Sequence, residues 1–175
     1  MAIKGRVALT GRPGVGKTTA IERLLDILPL RVGGMLSKEI RVCGHRVGFA
    51  LVDVASGEEG VLAHIHHRVG PKIGRYTVDL RSLEKIGVRA IERAIATCEL
   101  VVIDEIAPME LAAPGFVPVV EAALASERSL VISTHAHTDH PLVHRVRQEL
   151  ELFRVKLSNR DEIVSNLAEA FGVTR

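Results

Sequence analysis

Residues 9–19 read Leu-Thr-Gly-Arg-Pro-Gly-Val-Gly-Lys-Thr-Thr, and no other stretch restricts the fold so tightly. The apolar run Val7-Ala8-Leu9 before it reads as a strand. After it, Ala20, Ile21, Leu24, Leu25 and Leu28 fall on one helical face. Gly11, four intervening residues and Gly16-Lys17-Thr18 complete the phosphate-binding P-loop pattern at a strand-to-helix junction. Gly11, Gly14 and Gly16 are expected to allow positive φ angles and to bring backbone N–H groups against phosphate oxygens. The helix start beyond adds unpaired donors and the positive end of its dipole. The whole of Gly11, Arg12, Pro13, Gly14, Val15, Gly16, Lys17, Thr18 and Thr19 is therefore a candidate phosphate cradle. Lys17 is expected at the β- and γ-phosphates, the Thr18 hydroxyl on Mg²⁺ and Thr19 at the α-phosphate. A lysine opening a helix opposes the dipole, and clustered glycines cost chain entropy, so something anionic has to compensate.

From there the chain alternates strand and helix. Lys4 to Thr10 is expected as the first strand and Lys17 to Leu28 as the first helix, ended by Pro29. Val32 to Arg41 and Arg46 to Val54 read as a β-hairpin turning at Cys43-Gly44, with a short strand at Val61–His64. This block, about 31–64, looks like an antiparallel insertion on a parallel core. A loop from Val69 to Arg75 follows, then a helix whose apolar stripe is Leu83, Ile86, Ala90, Ile91, Ala94 and Ile95. Beyond it come a helix over Pro108–Ala125 broken near Pro114-Gly115, with Phe116, Val120, Ala123 and Leu124 inward, and a buried strand at Ser129–Thr134. Pro141–Glu149 is expected as a helix, Leu152–Leu157 as the last strand, and Asp161–Phe171 as the closing helix. Ser158 with Asp161, or Asn159 with Glu162, offers a capping-box start. The expected fold is a three-layer αβα P-loop domain spanning residues 1–175, with a mostly parallel sheet and an antiparallel hairpin extension.

Leu100-Val101-Val102-Ile103 reads as a buried parallel strand, and Asp104-Glu105 at its C-terminal end points into the crevice where open α/β sheets bind ligands. Beside a P-loop, Asp104 is the expected Walker-B acid, holding Mg²⁺ directly or through a water. Glu105 is the expected base or orienting group for the attacking water. The patterns of a switch GTPase are missing. Asp53-Val54-Ala55-Ser56-Gly57 has one residue too many for Asp-x-x-Gly, and Asn159-Arg160-Asp161 lacks the guanine-reading lysine and spacing.

Composition excludes other classes. With 23 Lys+Arg against 21 Asp+Glu, a net charge of +2 and scattered aromatics, the chain has no nucleic-acid footprint. Cys43 and Cys98 have no metal-type spacing and suit a reduced cytoplasm. No apolar run approaches the roughly 18 residues of a membrane span, and Met1-Ala2-Ile3-Lys4 does not begin a signal peptide. A cytoplasmic location is expected. A monomer fits the sequence, which does not fix an oligomeric state.

Several secondary features compete for attention. Thr134 is a candidate sensor of the γ-phosphate or the water. Arg75 and Lys72, in a glycine-flanked loop, and Arg145 or Arg160 are candidate arginine-finger cations. His135-Ala136-His137-Thr138-Asp139-His140 matches a His-x-His-x-Asp-His zinc signature, yet the downstream ligands of that fold are missing apart from His144, so a polar loop beside the crevice is the plainer reading. His64, His66 and His67 read as a solvated loop.

Several motifs together resemble one family. They are the P-loop, Val32-Gly33-Gly34 with Glu39-Ile40-Arg41, Gly48-Phe49, Ile73-Gly74-Arg75-Tyr76-x-Val78-Asp79 and Asp104-Glu105-Ile106-x-Pro108-Met109-Glu110. The chain is similar to the small nucleoside-triphosphatases first described in thermophiles, whose vertebrate members are called cancer-related nucleoside-triphosphatases. The resemblance implies Mg²⁺-dependent hydrolysis of ATP, GTP and other triphosphates to diphosphate and phosphate, with broad base tolerance and slow turnover. It places the phosphate-site roles on Gly14, Gly16, Lys17, Thr18 and Thr19, and the acidic roles on Asp104 and Glu105. Ala107 departs from it, standing where the family usually has glycine. The rival readings are a nucleotide or small-molecule kinase, for which no arginine-bearing lid is evident, and a nucleotide-dependent binding module.

Overall fold

Val7, Ala8 and Leu9 are fully shielded from solvent, and their alternation divides the core in two. Val7 and Leu9 belong to one apolar cluster and Ala8 to the other, as successive residues of a strand covered on both faces must. In the computed structural model, which describes residues 5–173, β1 spans Arg6–Gly11 and α1 spans Lys17–Ile27. There follow β2 (Val32–Val42), β3 (His45–Asp53), β4 (Glu59–His64), β5 (Lys72–Ile73) and β6 (Tyr76–Val78). A continuous helical stretch comes next, made of α2 (Leu80–Ser82), a π-helical segment at Leu83–Val88 and α3 (Arg89–Thr97). The remainder is β7 (Leu100–Ile106), α4 (Pro108–Leu111), α5 (Phe116–Ala125), β8 (Ser129–His135), α6 (Pro141–Glu149), β9 (Glu151–Arg154) and α7 (Ile163–Ala170).

Among the described residues the strands form one nine-stranded sheet in the order β5-β6-β4-β3-β2-β7-β8-β1-β9. β2, β7, β8, β1 and β9 run parallel, and β3 to β6 pair antiparallel at one end. Val101, Ile103, Leu130 and Ile132 face a cluster with residues of α3, α5 and α6, whereas Leu100, Val102 and Val131 face α1 and α7. Helices thus cover both faces, giving the expected three layers.

The differences from the sequence reading have local causes. The 31–64 segment is not wholly an insertion, since Val32 to Met35 pair parallel with Leu100 to Ile103 before the strand continues into the hairpin. The 69–75 loop contains β5 and turns into β6, strands too short to show a period. The helix after it carries a π-helical segment, which adds Gly87 and Val88 to the buried face alongside Leu83 and Ile86. The capping box before α7 does not form. Asn159 instead accepts the Lys156 N–H with Oδ1 and donates from Nδ2 to the Arg154 carbonyl, each at 2.8 Å, and α7 starts two residues later than expected, at Ile163. The last strand is correspondingly shorter. The expected start of the first strand at Lys4 and the reading of Met1–Lys4 lie outside the described residues.

Candidate active site

The loop after β1 is shaped by two glycines in the left-handed region, Gly14 at φ 75° and Gly16 at φ 111°, the latter as N-cap of α1. Gly11 is not among the positive-φ residues, contrary to expectation. Its constraint is proximity, because a Cβ there would lie 2.8 Å from the Val155 carbonyl oxygen and 2.9 Å from Val15 Cγ1. Arg12, Pro13, Gly14 and Thr19 are exposed on the rim, Val15 is buried beneath, and the Val15 N–H donates to the Arg12 carbonyl. No side chain caps α1, so its first N–H groups remain open to an anion at the dipole's positive end.

Lys17 and Thr18, the first residues of α1, reach toward the end of β7. Lys17 is buried, donates from Nζ to the Gly11 carbonyl at 2.9 Å and the Arg12 carbonyl at 3.4 Å, and lies 3.6 Å from Glu105 Oε2. Thr18 Oγ1 donates to Asp104 Oδ2 at 2.7 Å. Asp104, 1% exposed, accepts a second bond on Oδ1 from the Ser133 hydroxyl. Sequence separations of 86 and 29 residues are thereby closed by the order β7-β8-β1, in which β8 lies between the two motif-bearing strands.

Burial governs the acids here. It pushes Asp104 up to about 6 despite the hydroxyl donors Ser133 and Thr18, with the charge of Glu105 acting in the same upward direction. Glu105 is raised by burial and partly held back by Lys17. Glu110, at the start of α4, is raised well above the ordinary glutamate value by burial and then by the charge of Glu105. Its Oε2 has no hydrogen-bond partner, although the carboxyl group is bonded by the backbone N–H groups of Glu110 and Ala107.

The accessory residues fall out differently. Ser133, unmarked in the sequence reading, takes the acid contact. The Thr134 hydroxyl instead donates to the Leu9 carbonyl at 3.4 Å and accepts from Arg147 Nε at 3.2 Å, because neighbours on a strand face opposite sides. Arg75 sits between β5 and β6 and bonds the Tyr76 hydroxyl and the Arg46 carbonyl, and five strands separate β6 from β1. The structure therefore does not bring Arg75 to the loop. Lys72 shares that edge; Arg160 is exposed before α7; Arg145 pairs with Glu149 and Glu121 on the surface of α6. The arginine that does approach is Arg147, whose Nη2 donates to Thr10 Oγ1 at 3.3 Å and the His135 carbonyl at 3.0 Å. One of two arginines on a helix carries no sequence signal.

The histidine signature disperses. His140 Nδ1 caps α6 through the Leu142 N–H, His144 Nε2 lies 2.7 Å from Asp139 Oδ1, and His135 Nδ1 accepts the His137 N–H. Among the described residues no three His, Cys, Asp or Glu side chains gather as a metal cage. In the other cluster, His64 Nδ1 accepts the His66 N–H, and His67 lies 4.0 Å from Asp79.

A parallel sheet carrying a glycine loop at one strand end and a paired carboxylate two strands away defines the class of P-loop nucleotide-binding α/β proteins. Residues 6–168 match the family described as NTPase, and the chain belongs to that family. It is 42% identical over 170 residues to nucleoside-triphosphatase THEP1 of Methanosarcina acetivorans, covering 95% of this chain and 96% of that one. The namesake from Thermotoga maritima is 36% identical over 172 residues, covering 97% of both. Among solved structures, the crystal structure of THEP1 from the hyperthermophile Aquifex aeolicus superposes with a TM-score of 0.88 at 26% identity, covering 96% of this chain and 99% of that one. The solution structure of a human cancer-related nucleoside triphosphatase gives 0.78 at 29% identity, covering 98% and 99%.

Proposed function

We propose that this chain hydrolyses nucleoside triphosphates to diphosphate and phosphate, with Mg²⁺ and with little regard for the base. The observation that carries the reading is the 2.7 Å contact of Thr18 with Asp104 beside the 3.6 Å approach of Lys17 to Glu105, which joins the phosphate loop to a carboxylate pair. A hydroxyl and a carboxylate are hard oxygen donors, too few for an all-protein cage, and they suit a cation that keeps waters and takes phosphate oxygens. Thr18 and Asp104 would hold Mg²⁺, which would neutralise part of the triphosphate's charge.

The chain's own groups do the rest. The open N–H groups of the loop and the start of α1 hold the triphosphate, and Lys17 counters the charge that develops on the phosphoryl oxygens. Glu105 orients a water for in-line attack on the γ-phosphorus. The new P–O bond forms as the bond to the β,γ-bridging oxygen breaks, and the water's proton passes to Glu105. Burial raises this carboxyl group and so makes it a better base than an ordinary glutamate. Lys17 is the cation found beside Glu105, while Arg147 is committed to hydroxyls and a carbonyl. An arginine finger contributes a factor of about 10³–10⁵ in related chemistry, so turnover is expected to be slow.

The test is phosphate release from ATP, GTP, CTP and UTP with Mg²⁺ and no acceptor. The wild type should release phosphate from all four, Glu105→Gln should lose about 10²–10⁴-fold in kcat, and Lys17→Ala should lose activity comparably. Consumption that begins only on adding a phosphate acceptor would make the protein a kinase instead.

A further inference from the structure

β8 stands between the strand that launches the phosphate loop and the strand that ends in the acid pair, so its C-terminal end borders the gap where a γ-phosphoryl group would sit. Which side chains it presents there follows from register. Leu9 pairs with Ser133 and Gly11 with His135, and Leu9 packs in the cluster that contains the residues of α1. Side chains two apart on a strand share a face. Ser133 and His135 therefore both lie on the side of α1 and the loop, whereas Thr134 bonds Arg147, which also reaches Thr10, on the other side. The Ser133 hydroxyl is committed to Asp104. His135 follows about 6.6 Å further along the strand, opposite Gly11, the residue whose carbonyl accepts Lys17 Nζ at 2.9 Å.

The imidazole is already set as a donor. Its Nδ1 accepts the His137 N–H at 3.3 Å, which leaves the proton of the neutral ring on Nε2, and among the described residues Nε2 meets no hydrogen-bond partner. The ring is half-buried, with its centroid 6.0 Å from that of His137. Burial, and then the charges of Lys17, His137 and Arg147, hold its pKa below the ordinary value of 6.5, so the neutral form prevails at pH 7. An Nε2–H without an acceptor, standing among cations, calls for an anionic oxygen. The loop and the start of α1 serve the phosphates nearer the helix; the end of β8 reaches the outermost one.

We propose that His135 is a catalytic residue that donates from Nε2–H to a γ-phosphoryl oxygen, and so distinguishes a bound triphosphate from a diphosphate. The proposal rests on the hydrolase reading above and transfers to His135 the sensor role expected of Thr134. A neutral donor does not bring the charge of an arginine finger, so the expectation of slow turnover stands.

Calorimetric titration separates this contact from general support of the loop. His135→Ala should weaken binding of the nonhydrolysable β,γ-imido analogue of ATP with Mg²⁺ by about tenfold or more, as for the loss of a hydrogen bond to a charged group, while the Kd for ADP with Mg²⁺ stays within twofold. The unchanged affinity for ADP also reports that the variant is folded. His135→Gln, whose amide nitrogen can donate, should recover most of the loss, and kcat for ATP should fall in the order wild type, His135→Gln, His135→Ala. In the wild type, the His135 Nε2 resonance should move on adding the imido analogue and stay in place on adding ADP. Equal loss of affinity for both nucleotides, or for neither, overturns the assignment, as does a wild-type Nε2 resonance that ADP moves as far as the imido analogue does. These outcomes leave hydrolysis standing; no phosphate release from the wild type overturns the hydrolase reading itself.

Discussion

At Glu110 the protein closes over a carboxyl group almost completely, leaving 2% exposed and Oε2 without a partner. Such a group keeps its proton to higher pH folded than unfolded, because burial and the nearby charges of Glu105 and Asp104 penalise the anion. Its contribution to stability is therefore full below the ordinary value of 4.5 and falls as pH rises toward the raised folded value. Glu110→Gln mimics the protonated acid and removes that dependence. Urea denaturation without Mg²⁺ at pH 4.5 and pH 7.5 should show the variant gaining on the wild type at the higher pH; parallel behaviour would show that Glu110 titrates in the fold as it does in the unfolded chain. Ser133 supports a second expectation. Without its bond to Asp104, Ser133→Ala should need about 10–100-fold more Mg²⁺ for half-maximal hydrolysis, as for other residues that orient a metal ligand. The loop and the acid pair were legible because their residue types are rare in combination. Ser133 was not, since adjacent hydroxyls on a strand differ only in which face they meet, and that depends on register. Arg147 was hidden too, because its bonds to Thr10, Thr134 and the His135 carbonyl depend on where α6 packs against the ends of β1 and β8.

Among elements, the end of β3 is fastened to α3 through Asp53. This side chain, 1% exposed, accepts the Ala55 N–H at 3.0 Å and the Ser56 hydroxyl at 2.7 Å and pairs with Arg93. Burial pushes its pKa up, but the bonds from Ser56, Arg93 and Ala55 outweigh burial and hold it below 3.8. A depressed acid stabilises above its unfolded pKa and loses that contribution as pH falls through the folded one. Asp53→Ala should therefore cost about 1–2 kcal/mol at pH 7, since it removes three bonds to a buried acceptor while the donors, on the exposed residues Ala55, Ser56 and Arg93, can turn to water. The deficit relative to wild type should shrink below pH 4 in chemical denaturation. The sequence showed a turn at 53–57 and excluded a switch motif, but not this anchor, whose partner Arg93 lies 40 residues away. Long elements such as β7, α5 and α6 appeared close to their expected bounds because their apolar patterns run for two turns or a full buried strand. β5 and β6 have two and three residues, too few for any period.

For the molecule as a whole, the layers followed from alternation and the parallel core from its apolar runs, while the order of the strands needed the structure. Ligand linkage gives a global test. A nonhydrolysable triphosphate with Mg²⁺ at a hundred times its Kd should stabilise the fold by about 2.7 kcal/mol. For a chain of this size that corresponds to roughly 5–10 °C in Tm by differential scanning, and Lys17→Ala should abolish most of the shift. β8 adds a consequence of its own by standing between β1 and β7. With neighbouring strands about 4.8 Å apart, the backbones that launch the loop and the acids stand roughly 9.6 Å from each other. That clearance is written in amides and carbonyls, and no side-chain replacement on either flank can narrow it. β8 acts as a feeler gauge, keeping one fixed gap for a phosphoryl group and the water behind it.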